Sequence, residues 1–166
     1  KAAKDSIGLE QYFKAHKADY KWDAPHFKGF LVRCQDENIA KIAKAIVKNA
    51  EKDSVQSYLT QRLNTDSVKV VSCSYGLWEE GKNPMIDKFG LNKKNIEVKI
   101  DPAMPVVFMV GKKLKAPQEY TDVRSQVTTD YQDYLEKAWI EQLRAKYEVV
   151  INEEVMTKVK QQFSAR

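Results

Sequence analysis

FKGFLVRC, residues 27–34, is the stretch on which the fold turns. Pro25 stands shortly before it and apolar, β-prone residues fill it, so it reads as a strand over 26–34 entered from a loop. Directly after it, Asp36 is placed to cap a helix whose apolar residues Ile39, Ala40, Ile42, Ala43, Ile46 and Val47 recur at helical spacing and stop near Ala50. A strand passing at once into an amphipathic helix opens an α+β reading.

Further along, residues 54–63 predict a second helix with Val55, Tyr58, Leu59 and Leu63 turned inward. The cluster Asn64-Thr65-Asp66-Ser67 marks a turn, and 68–73 alternates as a strand does. Between 75 and 91 stand Gly76, Gly81, Pro84 and Gly90, which predict a loop holding at most a short helix near 84–89, with Pro84 in its first turn. Residues 96–100 suit a short strand, and 106–114 is a nearly continuous apolar run, broken by Gly111, of the kind found in buried strands.

On the N-terminal side, Ile7, Leu9, Tyr12, Phe13 and Tyr20 follow helical spacing, Asp5 or Ser6 is placed as a cap, and Gly8 weakens the first turn. Downstream, Pro117 opens the longest helix. Its stripe of Tyr120, Val123, Val127, Tyr131, Tyr134, Leu135, Ala138, Trp139, Leu143 and Tyr147 implies about 30 residues and roughly 45 Å of rod. A small sheet cannot bury so long a stripe, so Trp139, flanked by Leu135 and Leu143, is expected to pack on Tyr12 and Phe13. A brief strand over 149–151 and a last helix capped by Asn152, carrying Val155, Met156 and Val159, complete the reading.

Composition narrows the function. At 166 residues the chain can build a core without a disulfide staple. The 28 basic and 23 acidic residues leave a net charge of only +5, spread along the chain, and no phosphate-cradling glycine loop or zinc-ligand spacing accompanies it, which argues against a nucleic-acid partner. No apolar run is long enough to cross a membrane. With a start at Lys-Ala-Ala-Lys, this leads to the expectation of a soluble fragment whose leader or N-terminal domain lies upstream. The histidines are His16 and His26, and Cys34 and Cys73 lack histidine neighbours, so neither metal nor cofactor is expected. Both cysteines read as small buried hydrophobes, with a disulfide between them left open. Glu79 and Glu80 are adjacent and diverge on any regular element, and Ser72 and Ser74 have no histidine base at a recognisable spacing, so neither a carboxylate pair nor a serine nucleophile is assigned.

The order strand, helix, helix, strand, glycine-containing loop, short helix, strand resembles the parvulin domain of peptidyl-prolyl isomerases. FKGFLV sits where parvulins carry their opening strand motif. YGLWEEGKNPMIDKF, residues 75–89, resembles the region whose methionine and phenylalanine, four residues apart, line the proline pocket. Residues 120–156, YTDVRSQVTTDYQDYLEKAWIEQLRAKYEVVINEEVM, resemble the tail that follows the last such domain in SurA- and PpiD-type proteins, and GLEQYFKAHKADYKW, 8–22, resembles the helix before it. The resemblance implies a parvulin-like antiparallel or mixed sheet at 23–116, flanked by an N-terminal helix at 1–22 and a C-terminal helical part at 117–166. It implies export to the periplasm, clients that are unfolded or extended outer-membrane or secreted polypeptides, and a substrate-binding set of Met85, Phe89 and Trp78. By spacing alone, Met85 and Phe89 fit plain core equally well, and Trp78 fits either a pocket rim or a core anchor.

The sequence departs from the family where the chemistry lies. Parvulins place two histidines on adjacent strands; here Gly29 holds the first position, and PVVFMVGKK, 105–113, has Val107 nearest the second. His26 falls on the opposite face by the two-residue period. No catalytic residue is therefore assigned. The expected function is client binding with weak or no isomerase activity; the alternatives are an active isomerase and a non-enzymatic adaptor that binds one fixed partner through the long helix.

Overall fold

The computed structural model describes residues 2–148, 150 and 152–164. The strand expected over 149–151 depends on Val149 and Ile151, which lie outside the described residues. The chain is α+β: among the described residues it forms a three-stranded antiparallel sheet and six α-helices. It divides into two compact units, residues 16–122 and residues 1–15 with 123–166. Among the described residues, no helix is long and apolar enough to cross a membrane.

In the first unit, strand β1 (His26–Cys34) is the middle strand, between β2 (Val71–Glu79) and β3 (Val106–Leu114). Both neighbours run antiparallel to it, with Gly29 opposite Gly76 on one side and Gly111 on the other. Paired residues share a face, so the even-numbered residues of β1 point one way and the odd-numbered the other. Phe30, Val32 and Cys34 join Val71, Cys73 and Phe108 on the even face, under Ala40, Ala43 and Val47 of α2 (Glu37–Asn49) and Val55 and Leu59 of α3 (Val55–Leu63). Each fully buried aliphatic or aromatic side chain there stabilises the fold by roughly 1.5–3 kcal/mol. The Asp36 side chain starts α2 by accepting the Ile39 N–H at 2.9 Å.

Several expectations need correction. Ile42 and Tyr58 are exposed rather than inward, because α2 buries the narrower set Ala40, Ala43 and Val47, and because Tyr58 stands outside α3 beneath the Arg62 guanidinium, 5.2 Å from its ring. Strand β2 starts at Val71, later than Val68, since Thr65 and Val68 close a turn. It then runs on through Gly76 to Glu79, where a loop was expected, because Gly76 pairs in register with Gly29. Residues 96–100 are not part of the sheet, although half-buried Ile96, Val98 and Ile100 alternate with exposed Glu97 and Lys99.

In the second unit, α1 (Ser6–Ala15) packs against the N-terminal half of α5 (Arg124–Lys146). Asp5 accepts the Gly8 N–H at 2.8 Å and the Tyr131 hydroxyl at 2.9 Å. A β-carbon at Gly8 would collide with that hydroxyl, so the residue that weakens the first turn is the one that admits Tyr131. Tyr12 lies 5.5 Å from Tyr131 and 5.6 Å from Tyr134, ring to ring. Trp139 does not reach Tyr12 or Phe13 as expected: it is 59% exposed, because α1 spans only ten residues and covers α5 around Val127 and Tyr131. The long helix is also shorter than its stripe implies, with 23 residues after a 3-10 turn at Tyr120–Val123. Helix α6 (Glu153–Ser164) is capped by Asn152, which accepts the Val155 N–H at 3.1 Å, and Val155, Met156 and Val159 are exposed.

Candidate peptide-binding face of the sheet

The odd-numbered face of β1 carries Phe27, Gly29, Leu31 and Arg33. Register adds Trp78, Gly76, Ser74 and Ser72 from β2, and Lys113, Gly111, Met109 and Val107 from β3. Helix α4 (Pro84–Phe89) lies over this face and sinks Ile86 among Phe27 and Leu31, with Trp78, Met85, Leu91, Val107 and Met109 packed around them. Asn83 starts α4 by accepting the Met85 N–H at 3.0 Å, with Pro84 in the first turn.

The loop into α4 is tied down ionically. Asp87, a buried carboxylate, accepts the Gly81 N–H at 3.0 and 3.1 Å, and its Lys93 neighbour stands 3.9 Å away. Glu80 pairs with Lys93 at 2.8 Å and Lys113 at 3.1 Å. Those two ammonium groups hold the Glu80 carboxyl below the usual range, Lys93 foremost, and Glu80 in turn raises the pKa of Lys93.

Of the three side chains expected to bind substrate, the structure brings Trp78 and Met85 into one cluster around Phe27, the Phe27 and Trp78 ring centroids being 6.5 Å apart. Phe89 is half-buried on the same short helix, outside that cluster, with the Lys88 ammonium 5.9 Å from its ring. All three keep part of their surface in solvent. Arg33 went unnoticed in the sequence: its Nε is enclosed without a hydrogen-bond partner. The only signal was its odd-numbered place in β1, which becomes informative once the register is known.

The polar groups of a parvulin centre are not on this face. A β-carbon at Gly29 would collide with the Val110 carbonyl oxygen and lie 2.6 Å from Gly111 Cα, and one at Gly111 would meet Gly29 Cα at 2.7 Å. The strands approach too closely there for any side chain. Val107 packs with the apolar cluster, and His26 points to the other face, stacked 4.0 Å from Trp22 with Nδ1 donating to Ala24 O at 2.9 Å. Both cysteines are unbridged in the even-face core, where burial above all pushes each thiol up to about 11. Among the described residues, no group of three or more His, Cys, Asp or Glu side chains could hold a metal ion. The face can therefore hold apolar side chains and offer the Arg33 guanidinium, the Lys113 ammonium paired with Glu80, and two serine hydroxyls, with no imidazole or thiolate.

No family model, curated protein or solved structure matches the chain.

Proposed function

We propose that this chain is the client-binding part of a SurA/PpiD-type parvulin-like protein of the periplasm, holding unfolded or extended polypeptide and contributing little or no isomerase activity. One observation carries the reading: Trp78 and Met85, each partly open to solvent, pack against one buried apolar cluster of Phe27, Leu31 and Ile86 on the α4 side of the sheet, in the region where the family resemblance puts a proline pocket. Catalysis of X-Pro rotation must lower a barrier of roughly 20 kcal/mol by favouring the twisted amide with placed polar groups, whereas retention of a client needs only the apolar wall. The contact between Gly29 and Gly111 leaves no room for such a group at the first histidine position.

The test is titration of a labelled, reduced and carboxymethylated polypeptide, followed by anisotropy, together with exchange NMR on a proline peptide. Trp78→Ala and Met85→Ser should each weaken binding about tenfold, and no enzyme-dependent cis/trans exchange should appear. Undiminished binding by both variants, or fast catalysed exchange, would overturn the reading.

A second reading has its own observation. Tyr134, Trp139 and Ile140 along α5, and Tyr147 just past its end, are exposed, as an adaptor helix for one fixed partner would require. Loss of client binding in Trp139→Ala with Trp78→Ala unaffected would favour it.

A further inference from the structure

The outer edge of β2 has the backbone chemistry of an unfilled strand position. The Gln35 N–H donates to Val70 O at 2.9 Å and the Glu80 N–H to Pro25 O at 2.8 Å, which fixes the phase of the ladder at both ends. Antiparallel pairing alternates every two residues, so Ser72, Ser74, Gly76 and Trp78 turn their N–H and C=O groups toward β1, while Val71, Cys73, Tyr75, Leu77 and Glu79 turn theirs outward. Val71 is already satisfied by a side chain acting as a strand: Asn64 Oδ1 accepts its N–H and Asn64 Nδ2 donates to its carbonyl, both at 3.0 Å. The Glu79 carbonyl accepts from the Lys82 N–H at 3.3 Å. Cys73, Tyr75 and Leu77 have no backbone partner among the described residues.

Free edges are ordinarily protected by charge or proline. Residues 71–78 contain neither, whereas β3 carries Lys112 and Lys113. Ser72, Ser74 and Tyr75 are exposed beside this edge.

We infer that the edge of β2 from Cys73 to Leu77 accepts an uncharged, extended segment of client polypeptide as a fourth strand. The inference rests on the client-binding reading and gives it a backbone component. Pairing along the edge brings every second client side chain onto the face of Ser74, Gly76 and Trp78, next to the apolar cluster. Recognition by backbone bonds at the edge and by alternate side chains on one face tolerates many sequences.

The experiment uses the whole chain and a short peptide alternating valine and threonine, blocked at both ends, followed by amide hydrogen exchange. The peptide should slow exchange at Cys73, Tyr75 and Leu77 about tenfold or more and leave the β1-facing amides unchanged. N-methylation at the alternate peptide residues that face the edge should abolish binding, while N-methylation of the others should not. Leu77→Pro removes an outward N–H without breaking a bond to β1, and should weaken binding about tenfold against less than threefold for Leu77→Ala. If the proline variant fails to fold, the N-methylated peptides on the unaltered chain carry the test.

Equal binding of both N-methylated peptides, with no protection at the three amides, overturns the inference and leaves the apolar face as the client site. Binding of the carboxymethylated polypeptide without the alternating peptide does the same. Failure of both ligands to bind overturns the inference and the client-binding reading together. Protection of the three amides without peptide, growing with protein concentration, assigns the edge to a second copy and also overturns the inference.

Discussion

Gly29 and Gly111 are needed for each other, since a β-carbon on either runs into the backbone of the opposite strand. Gly29→Ala and Gly111→Ala should each destabilise the sheet unit by about 1–3 kcal/mol, seen as a lower denaturation midpoint. Gly29→His should destabilise it and leave proline-peptide exchange at the uncatalysed rate. That glycine stands where the family resemblance would put a histidine was legible in the sequence, but the reason was not, because it lies in a strand about which local spacing says nothing. The cysteines behave differently. Cys34 is opposite Val71 and Cys73 opposite Val32, so the two are diagonal neighbours, roughly 7–8 Å apart, beyond the span of a disulfide without strand movement. With both thiols pushed up to about 11, mainly by burial, they should react slowly with alkylating reagents at neutral pH in the folded protein and quickly in denaturant. Replacing both by Ala should preserve a cooperative melt.

At the scale of elements, local chemistry was legible where caps and patterns agreed: β1, β3, α4 and the Asp36 cap of α2 fall where the sequence puts them. It misled where an element's end depends on a distant partner. Gly76 looks like a turn residue until β1 lies opposite it, and the stripe of α5 looks buried until the length of α1 is known. The candidate site was legible in part: Trp78 and Met85 pack against the same cluster, but the contribution of Phe27, Leu31 and Met109 depends on register. Trp139→Ala should therefore shift stability by less than about 0.5 kcal/mol, as for other exposed positions, whereas Leu9→Ala, fully buried in α1, should cost about 2–5 kcal/mol. The helical pair also carries an acid response. The Gly8 N–H and then the Tyr131 hydroxyl hold the Asp5 carboxyl below its ordinary 3.8. A depressed carboxyl contributes stability that is full above the unfolded value and lost as pH falls through the folded one, so this contribution starts to fall near pH 3.8 and is lost below the lower folded value. In Tyr131→Phe the decline of helicity under denaturant between neutral pH and that range should be shallower than in the unaltered chain.

Across the sheet unit as a whole, Lys28 anchors the segment that follows β3. Its ammonium pairs with Glu119 at 2.8 Å and, closer still, with Asp122, whose side chain is only 2% exposed. Burial alone would lower the Lys28 pKa and raise that of Asp122; the pairing outweighs it in both, supplemented at Asp122 by the Gln118 and Glu119 N–H groups. Lys28→Ala leaves a buried carboxylate without its cation and should cost about 3 kcal/mol, with Lys28→Ala/Asp122→Ala together costing less than the sum of the single changes. Chemical denaturation of the three variants reads both. The central position of β1 has a consequence in time rather than in energy. This strand emerges from synthesis before either neighbour, and Gly29 must wait first for Gly76 and then, much later, for Gly111. A sheet whose middle strand comes first closes only through distant contacts, which makes for slow folding. During that wait Phe27, Phe30, Leu31 and Val32 lie bare on a nascent chain, so a protein proposed to hold unfolded polypeptides passes through a stage in which it resembles one.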